Sequence, residues 1–295
     1  NLKFTSALET SKNYIQQTNP NDDLSYSSSL NTSLDIYGYN LNRIDDKLRI
    51  KLTNYQSNQS GEDNKTLPTI FPYVEYYSGN KYIKNLKYSN NLEFYNITRN
   101  NTTDIHSKKQ TKISSLIYFN KEAVKYATKI NFETNIFNQF FNTEDKKIDS
   151  KYVTSNYIRS FPIFGITTET PFKIESFKND WIYTPKLKLV IAPGISNSNK
   201  ISNEDSSISS YTIENNSNLN RYSGTDKLDN SKRLDLSFNI KNEILNGTLW
   251  TAYEFTNNSN YHYTQGNEKK LSDLLGQFNL NKEKYNTTYN FRFDL

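Results

Sequence analysis

The chain has 295 residues, a net charge of +5 and no cysteine. That length suffices for a large core or one large barrel, and the lack of Cys excludes disulfides and thiolate metal sites within it. No run of about 18 apolar residues offers a membrane-spanning helix, and no basic helix or nucleic-acid motif accompanies the basic excess, so no nucleic-acid partner is expected.

The elements, in chain order, read as strands. Residues 2–8 alternate weakly, and 19–23, with Pro20, form a turn cluster. Leu30, Thr32, Leu34 and Ile36 share a face opposite Asn31, Ser33 and Asp35. Leu48, Ile50 and Leu52 oppose Arg49, Lys51 and Thr53, and the two segments read as adjacent antiparallel strands. A polar loop over 56–66 leads to a strand over 67–77, where Pro68 and Pro72 predict a strand start or a bulge. Residues 81–97 hold one or two strands, and 100–110 a polar loop. Strands over 112–119 and 125–137 make a hairpin around 120–124. In the second, Phe132 and Ile136 oppose Lys129, Glu133 and Asn135; at about 3.3 Å per residue it is long enough to cross an outer membrane when tilted.

Residues 142–150 read as a charged loop. Strands follow over 152–158, 161–174 and 181–191, then the longest polar stretch, 194–218. From Arg233 the alternation has no miss: Leu234, Leu236, Phe238 and Ile240 oppose Arg233, Asp235, Ser237 and Asn239. Strands over 248–256, 272–280 and 285–295 complete the chain, with a Tyr- and Asn-rich loop before the last pair. This gives about 15 antiparallel strands in segments of about 10 residues, with no helical periodicity, the pattern of a transmembrane β-barrel. A mean hydropathy of −0.84 would suit a disordered chain, but 23 Tyr and 17 Phe are strand formers. A barrel, apolar only on its outward half, reconciles the two.

Four motifs occur in order. They are Tyr183-Thr184-Pro185-Lys186-Leu187 leading to Ala192-Pro193, then Asn203-Glu204-Asp205-Ser206, then Asn220-Arg221-Tyr222-Ser223-Gly224-Thr225-Asp226-Lys227 before the strand at Arg233, and finally Leu271-Ser272-Asp273-Leu274-Leu275-Gly276. None is specific alone; the ordered set resembles the barrel domain of the LPS-assembly protein LptD family over roughly 162–295. The resemblance implies that 1–295 is part of a C-terminal outer-membrane barrel whose periplasmic jelly-roll domain lies outside this chain. It also implies transport of lipopolysaccharide into the outer leaflet of a Gram-negative outer membrane, with no bond-making chemistry and no cofactor. Implied partners are lipopolysaccharide, outer-membrane lipids, an LptE-like lipoprotein plugging the lumen, and an LptA-like periplasmic bridge reached through the jelly-roll domain. The disulfide tie common in that family cannot be made from these residues. A first residue Asn1 and the lack of Met lead us to expect a fragment, with further strands after the closing Phe291-Arg292-Phe293-Asp294-Leu295.

Arg221, Gly224 and Asp226 read as anchors of a folded loop, because Gly permits unusual backbone geometry and Arg with Asp ties a loop to itself. The acidic oxygens of the 203–206 tetrad lack the spacing and Gly of a calcium loop. His106 and His262 lack partners for a metal site or triad. Arg49, Lys51, Lys129, Lys186, Lys188, Arg233 and Arg292 lie on polar strand faces. We expect them to point into a lumen, toward phosphorylated sugars or the plug, or simply to pair with neighbouring carboxylates. Trp181 and Trp250 suit interfacial aromatic girdles. A passive porin-like barrel would explain the alternation but not the ordered motifs, and a surface adhesin or solenoid would need a constant repeat that is absent.

Overall fold

The computed structural model describes residues 1–8, 17–18, 27–42, 44–58, 63–175, 180–256, 258, 270–282 and 285–295. They form one 15-stranded sheet in which every neighbouring pair is antiparallel. The strands are β1 (Leu2–Thr5), β2 (Ser29–Tyr39), β3 (Lys47–Ser57), β4 (Thr69–Tyr77), β5 (Lys81–Ile83), β6 (Leu86–Thr98), β7 (Lys109–Lys125) and β8 (Thr128–Ile148). They continue as β9 (Lys151–Glu169), β10 (Phe172–Ile174), β11 (Trp181–Ile191), β12 (Lys232–Lys241), β13 (Leu245–Glu254), β14 (Leu274–Lys282) and β15 (Tyr285–Phe293). The sheet is a meander in chain order, with short β5 paired only to β6 and short β10 only to β11. Each short strand prolongs the one before it across an interruption, at 78–80 and at Thr170-Pro171.

The expected alternation sets two faces. Lys112, Gln139, Arg159, Lys188, Arg233 and Trp250 are buried on one face. Ile113, Phe132, Phe164, Leu187, Leu236 and Phe238 are exposed on the other. The first face is covered by the chain's own segment 192–231, which runs between β11 and β12 and includes the single helical turn α1 (Ile213–Asn216). Leu219 and Leu228 of that segment pack with Phe137, Phe161, Ile163, Val190 and Ala192. Tyr211 and Ile213 pack on a second cluster of Trp250, Ala252 and Leu275. The opposite, bare face carries aromatic contacts toward both ends of the strands: Tyr88 with Phe119, Trp181 with Tyr183 and Tyr183 with Phe238 toward the Lys84-Asn85 end, and Tyr253 with Phe255 toward the other. At the Lys84-Asn85 end the connections are short, as there and at Tyr126-Ala127; the other end carries the longer 99–108 and 192–231 together with the tight Asp149-Ser150 turn.

Several expectations are corrected. The hairpin between β7 and β8 turns at Tyr126-Ala127, both at positive φ, because residues 120–124 stay in register with 129–133. The charged loop over 142–150 is strand up to Ile148, and the turn is Asp149-Ser150. Charged side chains there are compatible with a ladder that needs only backbone groups, and Lys109 and Glu144 pair across it at 2.8 Å. The two strands predicted around Pro162 are one, β9. Pro162 lies opposite Ile136 of β8, beyond the stretch 164–169 that pairs with β11; a missing donor is tolerated where one edge of a strand is unpaired. Pro72 falls where the register of β4 shifts, a bulge. Trp250 does not belong to a girdle: it is 2% exposed on the covered face. The turn cluster over 19–23 and most of the loop before Lys270 lie outside the described residues. Among the described residues no helix is long and apolar enough to cross a membrane.

Candidate functional site

Segment 192–231 is mostly polar, so covering a sheet with it requires partners for every buried group. Its two motifs supply many of them, and they meet each other. Asn203 closes the first turn on itself: its Nδ2 donates to the Ser206 carbonyl at 2.7 Å, and its Oδ1 accepts from the Ser206 N–H at 3.1 Å. The Asp205 carboxylate reaches into the second motif, accepting from the N–H groups of Thr225 at 3.1 Å and Asp226 at 2.8 Å. Asp226 reaches back and accepts from the N–H groups of Glu204 at 2.8 Å and Asp205 at 3.2 Å. The Ser206 hydroxyl accepts from the Lys227 N–H at 2.9 Å. Gly224 is needed because a Cβ there would sit 2.3 Å from the Asp205 carbonyl oxygen. Asn220 Nδ2 donates to the Gly224 carbonyl at 3.1 Å, and Asn220 Oδ1 accepts from the Asp229 N–H at 3.0 Å.

The interlocked pair is bolted to the sheet by charges. Lys112 on β7 lies 2.8 Å from Asp205, 2.9 Å from Asp226 and 3.0 Å from Glu93. Tyr95 on β6 donates to Asp226 at 3.0 Å. Arg159 on β9 donates to the carbonyls of Thr225 at 2.6 Å and Asp226 at 2.9 Å. Gln139 on β8 donates to the Thr225 carbonyl at 3.1 Å. Gln110 grips Ser202, donating to its carbonyl at 2.8 Å and accepting from its N–H at 2.7 Å. Glu204 receives both outer nitrogens of Arg99, at 3.0 and 2.5 Å, a bidentate pair. His106 lies 3.4 Å from the same carboxylate.

These contacts set the charges. Burial alone would raise the Glu204 carboxyl, but the nearby His106 ring and the bidentate Arg99 guanidinium outweigh it and hold it at about 2. Asp205, likewise buried, is held at about 2 by the Lys112 ammonium and the donors around it. Asp226 is buried more completely. Its desolvation outweighs the attraction of Lys112, Asp205 adds repulsion, and the carboxyl is pushed up to about 6.

Arg221 belongs to a second cluster. Its Nε donates to Asp229 at 2.5 Å, and it lies 3.4 Å from Glu254. Arg233 joins this group, 3.5 Å from Asp229, with its Nε donating to Asp235 at 2.8 Å and another nitrogen to the Asn218 carbonyl at 2.6 Å. Arg221, Asn220, Gly224, Asp226 and the 203–206 tetrad thus tie the covering segment to itself and to the sheet; Asp205 is engaged by Lys112 of β7 and Glu204 by Arg99 just beyond the end of β6.

All seven basic residues predicted on polar strand faces lie on the covered face, but their settings differ. Arg49 pairs with Asp35 at 3.1 Å, Lys129 with Glu122 at 3.0 Å and Lys188 with Glu133 at 2.5 Å. Arg292 pairs with Asp273 and stacks 4.7 Å over the Tyr211 ring. Lys51 and Lys186 form no ion pair among the described residues. Lys186 lines a recess with Glu169, Ser237 and Trp250.

Sequence reasoning missed the sheet side of the anchor: Tyr95, Arg99, Gln110, Lys112, Gln139 and Arg159. A signal was present. Phe137 and Phe141 flank Gln139 on its own face, and Phe161 and Ile163 follow Arg159 at the same parity. Apolar residues on a polar face announce that something covers it.

Compared with known proteins, the chain matches no family model, and no curated protein is similar enough to count as a match. The geometry therefore carries the functional argument.

Proposed function

We propose that this chain is wall of an outer-membrane β-barrel that delivers lipopolysaccharide to the outer leaflet, as LptD does. The observation that carries the membrane part is the bare face. Ile113 is 54% exposed, Phe132 46%, Phe164 49% and Leu187 48%, on neighbouring strands of one sheet. Leaving such side chains in water costs about 25 cal/mol for each Å²; against lipid hydrocarbon the cost disappears. The aromatic contacts toward the short-turn end suit one interfacial girdle, and the longest described connections, 99–108 and 192–231, gathered at the other end suit the external side. Strands of 17, 21 and 19 residues in β7, β8 and β9 exceed the roughly 10 residues a tilted spanning strand needs.

The transport part rests on the ordered motifs and on the charged, hydroxyl- and amide-rich covered face, a surface suited to sugars and phosphates. On this reading segment 192–231 enters the lumen from the external end and narrows it. A lipoprotein plug and a periplasmic bridge would complete the machine.

Depletion of the protein in its native host tests this. We expect it in the outer-membrane fraction, extracted only by detergent, and we expect newly made lipopolysaccharide to stop reaching the cell surface within a few generations of depletion. Normal lipopolysaccharide export with slowed uptake of small solutes would replace the reading by a porin-like one. A chain soluble without detergent would overturn both.

A further inference from the structure

A patch of lysines on the bare face has no role in the reading above. The register sets two cross-strand rows near the short-turn end: Lys81, Tyr88 and Phe119 in one, and Ile83, Leu86, Lys121 and Phe132 in the next. Residues opposite one another share a face, so Lys81 and Lys121 stand beside the apolar band. Lys125 follows on the same side of β7, opposite Thr128 at the hairpin end. The Lys81 ammonium lies 5.8 Å from the centre of the Tyr88 ring, and that of Lys125 5.3 Å from the Tyr126 ring.

None of the three forms an ion pair among the described residues. Two other lysines at the same end are paired: Lys173 is 2.7 Å from Asp180, and Lys129, on the covered face, takes Glu122 at 3.0 Å. Three uncompensated ammonium groups on long apolar stems, set among aromatic rings at the margin of an apolar band, match the level of lipid headgroups, where such stems lie along hydrocarbon and the charge reaches the polar layer.

We propose that Lys81, Lys121 and Lys125 bind the phosphates of anionic phospholipids in the leaflet facing the short-turn end. This rests on the reading that the bare face meets lipid. The patch would hold a shell of anionic lipid against β5–β8 and fix the depth of this side of the sheet in the bilayer.

The test uses the full chain in nanodiscs of phosphatidylcholine with a minor fraction of phosphatidylglycerol, and measures the lipid retained on gentle detergent extraction by native mass spectrometry. Wild type should retain phosphatidylglycerol in preference. K81Q/K121Q/K125Q should lose that preference by about fivefold for each lysine replaced at low salt. K81R/K121R/K125R should keep it, and K173Q, whose lysine is already paired, should not change it. Equal retention by wild type and the Gln variant overturns the proposal while the membrane reading stands. Preferential displacement of phosphatidylglycerol by added lipopolysaccharide also overturns it, assigning the patch to the opposite leaflet. Failure of the chain to enter nanodiscs at all overturns the membrane reading and the proposal with it.

Discussion

At the scale of single residues, the covering segment depends on one close approach and a few charges. Gly224→Ala places a Cβ 2.3 Å from the Asp205 carbonyl oxygen, where backbone must move. We expect the variant to lose about 1–3 kcal/mol of local stability, seen as faster proteolysis within 192–231. Acid acts on the same junction in two directions. Asp226 stands at about 6 against 3.8 for an ordinary Asp. The folded chain therefore binds its proton more tightly than the unfolded chain, and seating of the segment weakens as pH rises between those values. Glu204 and Asp205, both held at about 2 against 4.5 and 3.8, contribute stability that is present above those ordinary values and is lost as pH falls toward 2. Seating should be firmest near pH 4–5, between the two limbs. Trp250 emission in a Trp181→Phe background reports it, since Tyr211 and Ile213 cover that indole. Asp226→Asn should flatten the limb between pH 4 and 6 and leave the acid limb in place; an unchanged upper limb would assign it to another group.

At the scale of elements, the strands and the segment that covers them are separable. The ladders from β6 to β9 use backbone groups in register over long stretches, and none of those pairs needs the covering segment. Replacing residues 196–229 by a short Gly-Ser linker should leave the sheet content, followed by circular dichroism, nearly unchanged. It should remove Leu219 and Leu228 from Phe161 and Ile163, at about 1.5–3 kcal/mol for each side chain uncovered. It should also raise single-channel conductance in a planar bilayer. Conductance unchanged from wild type would mean that the segment does not occlude a path. The same separation explains the misread boundaries: charge within 144–148 and Pro162 both look like strand breakers locally, yet each lies where a paired neighbour on one side suffices.

At the scale of the whole molecule, many charges of the covered face are met by its own pairs, while Lys51 and Lys186 form no ion pair among the described residues. Lys51→Glu with Lys186→Glu should slow lipopolysaccharide arrival at the surface in a pulse–chase experiment while leaving the protein folded. Arg233→Glu, in contrast, puts a carboxylate 0% exposed beside Asp229 and Asp235 and should prevent folding, because an uncompensated buried charge costs about 3–5 kcal/mol or more. If the double lysine variant exports at the normal rate, the charge of the covered face has no part in transport.

The sequence by itself determined the antiparallel all-β sheet, the partition of β8, β11 and β12 into two faces, and the self-tying character of the stretch around Gly224. A period of two fixes which side chains share a face whatever lies beyond it, and a Gly between Arg and Asp marks a tight loop in any setting. Only the tertiary structure decided what covers the polar face. Lys112 meets Asp205 and Asp226, and Arg99 meets Glu204, across about a hundred residues of chain that carry no local trace of the pairing. Periodicity separates two environments; it does not say which is solvent and which is the chain's own return. That return turned Trp250, Gln139 and Arg159 from surface residues of a strand into its interior.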